Sequence, residues 1–133
     1  MNTNANSILI VNGETSADMR DLLKVETEDA RAADAVALFC YQVKKCIRAY
    51  AAALGRLDTL AFSGDIGEKA PVVRARICTG LGFLGIELEA SRNEKNADVI
   101  SKDGGRVKVR VIRTNEELVI ARSVCRVLRI GTS

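Results

Sequence analysis

One amphipathic stripe restricts the fold more than any other feature. Over residues 28–54, Val36, Phe39, Cys40, Val43, Ile47, Tyr50 and Leu54 recur at steps of three and four, so they share one face of a helix. At 1.5 Å per residue that helix is about 40 Å long. Thr27 is the expected N-cap, and Glu28 and Asp29 suit the positive end of the helix dipole. Gly55 provides the stop. Lys44, Lys45 and Arg48 fall off the stripe and read as a solvated face. So long an apolar stripe needs a broad apolar partner, and a sheet is the natural one.

The chain has the strands for such a sheet. Residues 7–11 are short, apolar and β-branched, and end at an Asn12-Gly13 turn. Residues 59–63 form a second strand candidate, and Pro71 then stands where a helix begins, with Val72, Val73, Ile77 and Cys78 as its apolar positions. Residues 86–88 could be a short strand, and residues 89–98 read as a polar loop. After the turn at Asp103-Gly104-Gly105, Val107, Val109 and Val111 alternate with Lys108 and Arg110, as in a half-buried strand. Thr114 and Glu117 fit a capping box, opening a last helix that buries Leu118, Ala121, Val124, Cys125 and Leu128. Residues 18–25 are read as a loop or a helical turn. The alternation of strands and helices defines an α/β fold with a sheet that is at least partly parallel.

Composition narrows the function. The chain has 133 residues, 47% hydrophobic and 28% charged, which suits one globular domain. Twenty basic and 17 acidic side chains leave a net charge of +3, and aromatics are 4%, so neither phosphate steering nor base stacking is favoured. No nucleic-acid partner is expected. No run is apolar enough to cross a bilayer, and residues 1–7 lack a signal-peptide pattern, so the expectation is a cytoplasmic protein without a membrane partner. Cys40, Cys46, Cys78 and Cys125 show no Cys-x-x-Cys spacing, and there is no histidine to share a zinc ion. Four reduced, mostly buried thiols are expected.

Three places could carry chemistry. Phe62-Ser63-Gly64-Asp65-Ile66-Gly67-Glu68 is a strand-to-helix junction whose glycines let backbone approach a phosphate, or simply allow a tight turn. Thr114-Asn115-Glu116-Glu117 is accounted for by capping except at Glu116. Asp18-Met19-Arg20-Asp21 reads as a surface ion pair or as a nucleotide-steering arginine. In an open α/β sheet, junctions of this kind converge on the carboxyl edge, where ligands bind.

These motifs, in this order and spacing, resemble the C-terminal part of the acetate kinase and propionate kinase family. Tyr50-Ala51-Ala52-Ala53-Leu54 and Gly80-Leu81-Gly82-Phe83-Leu84-Gly85-Ile86 extend the resemblance, which runs over residues 16–128. It implies a partial ribonuclease-H-like, actin-like ATPase domain: a mixed sheet with flanking helices. It implies ATP or ADP and Mg²⁺ as cofactors, and phosphoryl transfer to a short-chain carboxylate. Asp18, Met19 and Arg20 match positions that contact ATP in the family. Asp65, Ile66, Gly67, Glu68 and Lys69 match its second nucleotide-binding loop, and Glu116 its Mg²⁺-binding glutamate. Residues 1–15 resemble the family's own first strand, which would put Asn12 on its metal-associated asparagine.

The departures matter as much. The family has glycine where this chain has Asp65, asparagine where it has Lys69, and proline where it has Arg113. Its acyl pocket, catalytic aspartate and transition-state histidine lie in segments that precede these motifs, and this chain has no histidine. No catalytic residue is therefore assigned. Residues 1–133 are expected to form one domain, a family member with its middle deleted near Thr15 and Ser16, exposing apolar surface and assembling as a homo-oligomer. Two functions follow from the resemblance: the nucleotide and Mg²⁺ half of an acyl kinase, or an inactive remnant that binds nucleotide or a protein.

Overall fold

The computed structural model describes residues 8–12, 17–63, 71–112 and 123–126. Strand β1 (Ile8–Asn12) is followed by helix α1 (Ala17–Val25) and the long helix α2 (Ala30–Leu54). Strand β2 (Thr59–Ser63), helix α3 (Pro71–Cys78), a 3₁₀ turn (Gly82–Leu84) and the short helix α4 (Ala90–Glu94) come next. Strands β3 (Lys108–Val111) and β4 (Ser123–Arg126) complete the described elements.

The strands form one sheet in the order β3-β2-β1-β4, with every neighbouring pair parallel. Among the described residues, antiparallel pairing is confined to single bridges, Leu88 with Ser101 and Val99 with Arg110. The sheet's alternating sides build two clusters. Leu9, Val11, Leu60, Phe62, Val109 and Val111 pack with the buried stripes of α2 and α3, whereas Ile10, Ala61 and Ile112 gather on the other side. That division is the period-2 rule for strands.

Helix α2 buries Ala32, Val36, Phe39, Cys40, Val43, Ile47 and Ala51. Tyr50 is on the exposed shoulder instead, at 37% exposure, because the stripe's last buried position falls on the small Ala51. The helix starts later than expected. Asp29, not Thr27, is the N-cap, its side chain accepting from the Arg31 amide at 2.9 Å. Gly55 ends it in the left-handed region at φ 84°, donating back to the carbonyls of Ala51 and Ala52.

Other expectations are corrected. Residues 18–25 lie in a full helix, α1. Residues 89–98 are not simply a loop, since Glu89 caps α4 by accepting from the amides of Ser91 and Arg92. Of residues 86–88, only Leu88 makes a bridge. The last helix fails at Ser123–Arg126, which is strand β4, because pairing with the whole of β1 from Leu9 onward outweighs local helical periodicity. The capping box at Thr114–Glu117 lies outside the described residues. The expectation of four reduced thiols fails at Cys46, which is disulfide-bonded, while Cys40 and Cys78 are free.

Gly85 shows why one turn needs glycine. Its φ is 93°, and a Cβ there would lie 2.7 Å from the Cβ of Arg106. Its carbonyl accepts from Val107, which leads the chain into β3.

Ile47 is fully buried and Leu38, on the same helix, is 54% exposed. Ile47→Ala should therefore destabilise the fold by about 2–5 kcal/mol, and Leu38→Ala by less than about 0.5 kcal/mol. Urea unfolding of both variants checks this.

Candidate functional site

Parallel strands send all their carboxyl ends to one edge. Here that edge is marked by a change in residue type. Val111, Phe62 and Val11 stand side by side in register, with Cys125 beyond them. One step further come Ser63, Asn12 and Arg126, again in register. An apolar row is thus followed by a polar one across β2, β1 and β4. Ser63 is fully buried there.

The connections define where a ligand would enter. From β1 the chain moves to β2 and then outward to β3, before returning to the opposite side of β1 as β4. The reversal lies between β1 and β4. At such a switch point the loops diverge and leave a crevice beyond the carboxyl ends. Asn12, the last residue of β1, stands at the carboxyl edge of this switch point.

Helix α1 brings the next predicted contacts. Asp18, Met19 and Arg20 occupy its first turn. Five peptide steps separate Asn12 from Ala17, which limits the gap to about 18 Å. The helix is fixed from its other end. Leu22 and Leu23 pack against the main core. Glu26, just past the helix, accepts two hydrogen bonds from Arg76 of α3, at 2.8 and 2.5 Å. The Arg76 guanidinium holds the Glu26 carboxyl below the usual carboxylate range. The remaining predicted contacts, Asp65, Ile66, Gly67, Glu68, Lys69 and Glu116, lie outside the described residues. Among the described residues, Asn12 is thus the predicted position that the strands put at the carboxyl edge, and Asp18, Met19 and Arg20 follow it in the first turn of α1.

Sequence reasoning put Ser63 at the end of its strand, in a junction expected at the carboxyl edge, and missed Arg126, because its segment was read as helix.

Helix α3 also carries a buried guanidinium. Arg74 of α3 is fully buried, and burial pushes its pKa down to about 10, so it stays charged at neutral pH. Cys78 lies on the same helix, and burial pushes its thiol up to about 12, which keeps it protonated and unreactive. Two clefts lie elsewhere. One of about 520 Å³ runs beside α3, past Pro71, Ala75, Cys78, Ile86, Leu88 and Asn93. The other, about 630 Å³, opens beside Arg48, Arg56, Asp58, Phe83 and Arg106. Neither is lined by a predicted contact. Among the described residues, no three His, Cys, Asp or Glu side chains group to hold a metal ion, and no helix is long and apolar enough to cross a membrane.

A parallel α/β sheet with a switch point at its first strand belongs to the class of folds that bind ligands beyond the strands' carboxyl ends. Comparison with known proteins makes this specific. The model of the acetokinase family matches residues 2–122. The chain is 44% identical over 120 residues to an acetate kinase of Campylobacter concisus, an alignment covering 88% of this chain and 30% of that protein. It is 42% identical over 125 residues to a propionate kinase of Escherichia fergusonii, covering 93% and 31%. The crystal structure of Porphyromonas gingivalis acetate kinase superposes with a TM-score of 0.69 at 36% identity, covering 77% of this chain and 27% of that one. The chain belongs to the acetokinase family, and its fold is the α/β fold of those kinases. It spans about 30% of the length of the curated relatives it matches.

The Glu26–Arg76 pair carries a pH signature. Because Glu26 titrates below its ordinary range when folded, its contribution is present above that range and is lost as pH falls through the lowered pKa. Glu26→Gln should be less stable than the parent at pH 7, and the difference should shrink as pH falls below the ordinary carboxylate range and through the lowered pKa. Urea midpoints across that interval are the measurement.

Proposed function

We propose that this chain supplies the nucleotide and Mg²⁺ half of an acyl kinase site, for ATP-dependent phosphoryl transfer to a short-chain carboxylate such as acetate. The observation that carries the reading is the polar row at the sheet's carboxyl edge, with the first turn of α1 following it. Phosphoryl transfer rests on positioning and charge neutralisation rather than on protein covalent chemistry. A helix N-terminus offers amide donors and a partial positive charge to phosphate oxygens. In this reading Asp18, Met19 and Arg20 meet ADP or ATP from α1, and Asp65, Ile66, Gly67, Glu68 and Lys69 meet it from the segment after β2.

Asn12 and Glu116 would hold Mg²⁺. One carboxamide and one carboxylate are a donor set that suits this ion, which keeps much of its water and takes the rest of its shell from phosphates. Bound there, the ion would neutralise phosphate charge. The residues that bind and activate the carboxylate are not assigned on this chain, so turnover requires a second polypeptide segment or a second copy. Homo-oligomer formation belongs to the same proposal.

A second reading, nucleotide binding without turnover, is favoured by one substitution. Asp65 puts a carboxylate where the family has glycine, adding negative charge beside an anionic ligand. Lys69 offsets part of it.

Calorimetric titration with MgADP tests the first reading, with Arg20→Ala and Glu116→Ala as controls. Saturable binding is expected, weakened at least about tenfold in each variant, the loss of one charged contact. Acyl phosphate formation from acetate and MgATP separates the two readings. Absence of binding at millimolar nucleotide overturns both as nucleotide sites.

A further inference from the structure

The end of α2 and the starts of β2 and β3 meet at the sheet's amino edge, the opposite end from Asn12 and Ser63. Gly55 stops α2, and Arg56, Leu57 and Asp58 lead into β2 at Thr59. Arg106 and Val107 lead into β3 at Lys108. The Lys108 amide ties the two approaches together by donating to the Asp58 carbonyl at 2.9 Å. The cleft of about 630 Å³ opens here, between the end of α2 and the 3₁₀ turn at Gly82–Leu84. Its volume falls within the range of about 300–1,000 Å³ that small-molecule sites occupy.

The charge of this cleft is one-sided. Arg48, Arg56 and Arg106 line it, and among the described residues that line it Asp58 is the only acid. Asp58 is matched to Arg56, whose Nε and Nη2 donate to its Oδ1 at 3.0 and 2.5 Å. Arg48 and Arg106 have no carboxylate partner among the described residues. Two guanidiniums that no acid neutralises give the cleft a positive potential, which draws anions.

Arg106 is also held in place. Its Nη2 donates to the Phe83 carbonyl at 2.8 Å. Its stem passes over Gly85, where a Cβ would lie 2.7 Å from the Arg106 Cβ and 3.0 Å from its Nε. Glycine there meets two needs at once, a left-handed φ and clearance for this arginine. The bond to Phe83 uses one of several guanidinium donors. A side chain fixed before its ligand arrives loses less entropy on binding it. Phe83 itself lines the same cleft and is 66% exposed, the highest value among the described large hydrophobic residues. A ring so exposed adds little to the core, and it offers a flat apolar face to a ligand.

We propose that this cleft binds a small organic phosphate, its head on Arg48 and Arg106 and its apolar body against Phe83. A phosphate monoester carries about 1.5–2 negative charges at neutral pH, which matches two guanidiniums better than a monocarboxylate does. Its oxygens suit the arginine fork. The site stands at the amino edge of the sheet, so it goes beyond the nucleotide reading and does not depend on it.

Phenyl phosphate is the probe, titrated calorimetrically into the full chain at low ionic strength, where exposed charges are least screened. Saturable binding at millimolar phenyl phosphate is expected. Arg48→Gln and Arg106→Gln should each weaken it about tenfold, the loss of one charged contact. Arg48 is exposed on α2, so Arg48→Gln carries the test if Arg106→Gln does not fold. Phe83→Ala should lower the affinity for phenyl phosphate to that for inorganic phosphate, which has no ring. Saturating MgADP should leave the binding unchanged. Absence of saturable binding, full binding by both arginine variants, or displacement by MgADP overturns the inference. Equal affinity for phenyl phosphate in the parent and in Phe83→Ala overturns the part given to the ring.

Discussion

The parallel pairing of β1 on both of its sides is the interaction on which the rest depends. Five residues of β1 stand in register with β2 and four with β4. Leu9, Ile10 and Val11 are without exposure. A strand so enclosed must satisfy its amides and carbonyls through both ladders, because no water reaches them. The pairing also decides polarity. With β2, β1 and β4 all pointing the same way, their carboxyl ends share one edge, and the polar row Ser63–Asn12–Arg126 follows from register alone. A slip of one position would carry Asn12 into line with Phe62 and turn the sheet's two sides over relative to each other.

Helix α2 and helix α3 then act on that frame from one side. The stripe of α2 covers the Leu9, Val11, Leu60 and Phe62 side, and α3 adds Val73 and Ile77. Each large side chain taken fully out of water contributes about 1.5–3 kcal/mol, so this layer holds most of the described apolar burial. Polar contacts have a different part. The Glu26–Arg76 pair and the buried Arg74–Asn93 network fix how helices meet, at α1 with α3 and at α3 with α4. Packing holds the layers together, and these bonds choose among the ways the layers could sit.

Much of this was legible in the residues. The α2 stripe, the strand at Thr59–Ser63, the proline start of α3 and the alternation at Lys108–Val111 all follow from period and punctuation. What was missed has local causes. Asp29 outcompeted Thr27 as a cap because either side chain can accept an amide, and only the tertiary path of the chain chooses. Glu89–Glu94 offers no apolar period at all, and its helix exists through the Glu89 cap and the burial of Asn93. Val124 and Cys125 fit a helical stripe as well as a strand, and their pairing with β1 is a long-range event that no window on the sequence contains. The identities of the candidate contacts were readable through family resemblance. That they meet at one edge is an expectation from topology, whereas the hydrogen bond from Asn93 to the Pro71 carbonyl spans elements that share no motif.

The place of β1 has a consequence for how the polypeptide acquires its structure. Leu9 leaves the ribosome long before its partner Ser123. Until then, one side of the central strand has no neighbour, and vectorial synthesis leaves a parallel edge open to whatever strand arrives first. Closing so long a loop is slow, because its entropy is spent before any contact repays it. Among the described strands, the pairing of β1 with β4 is therefore the last that synthesis allows. Until it forms, the open edge of β1 is the part of the sheet most exposed to a wrong strand partner.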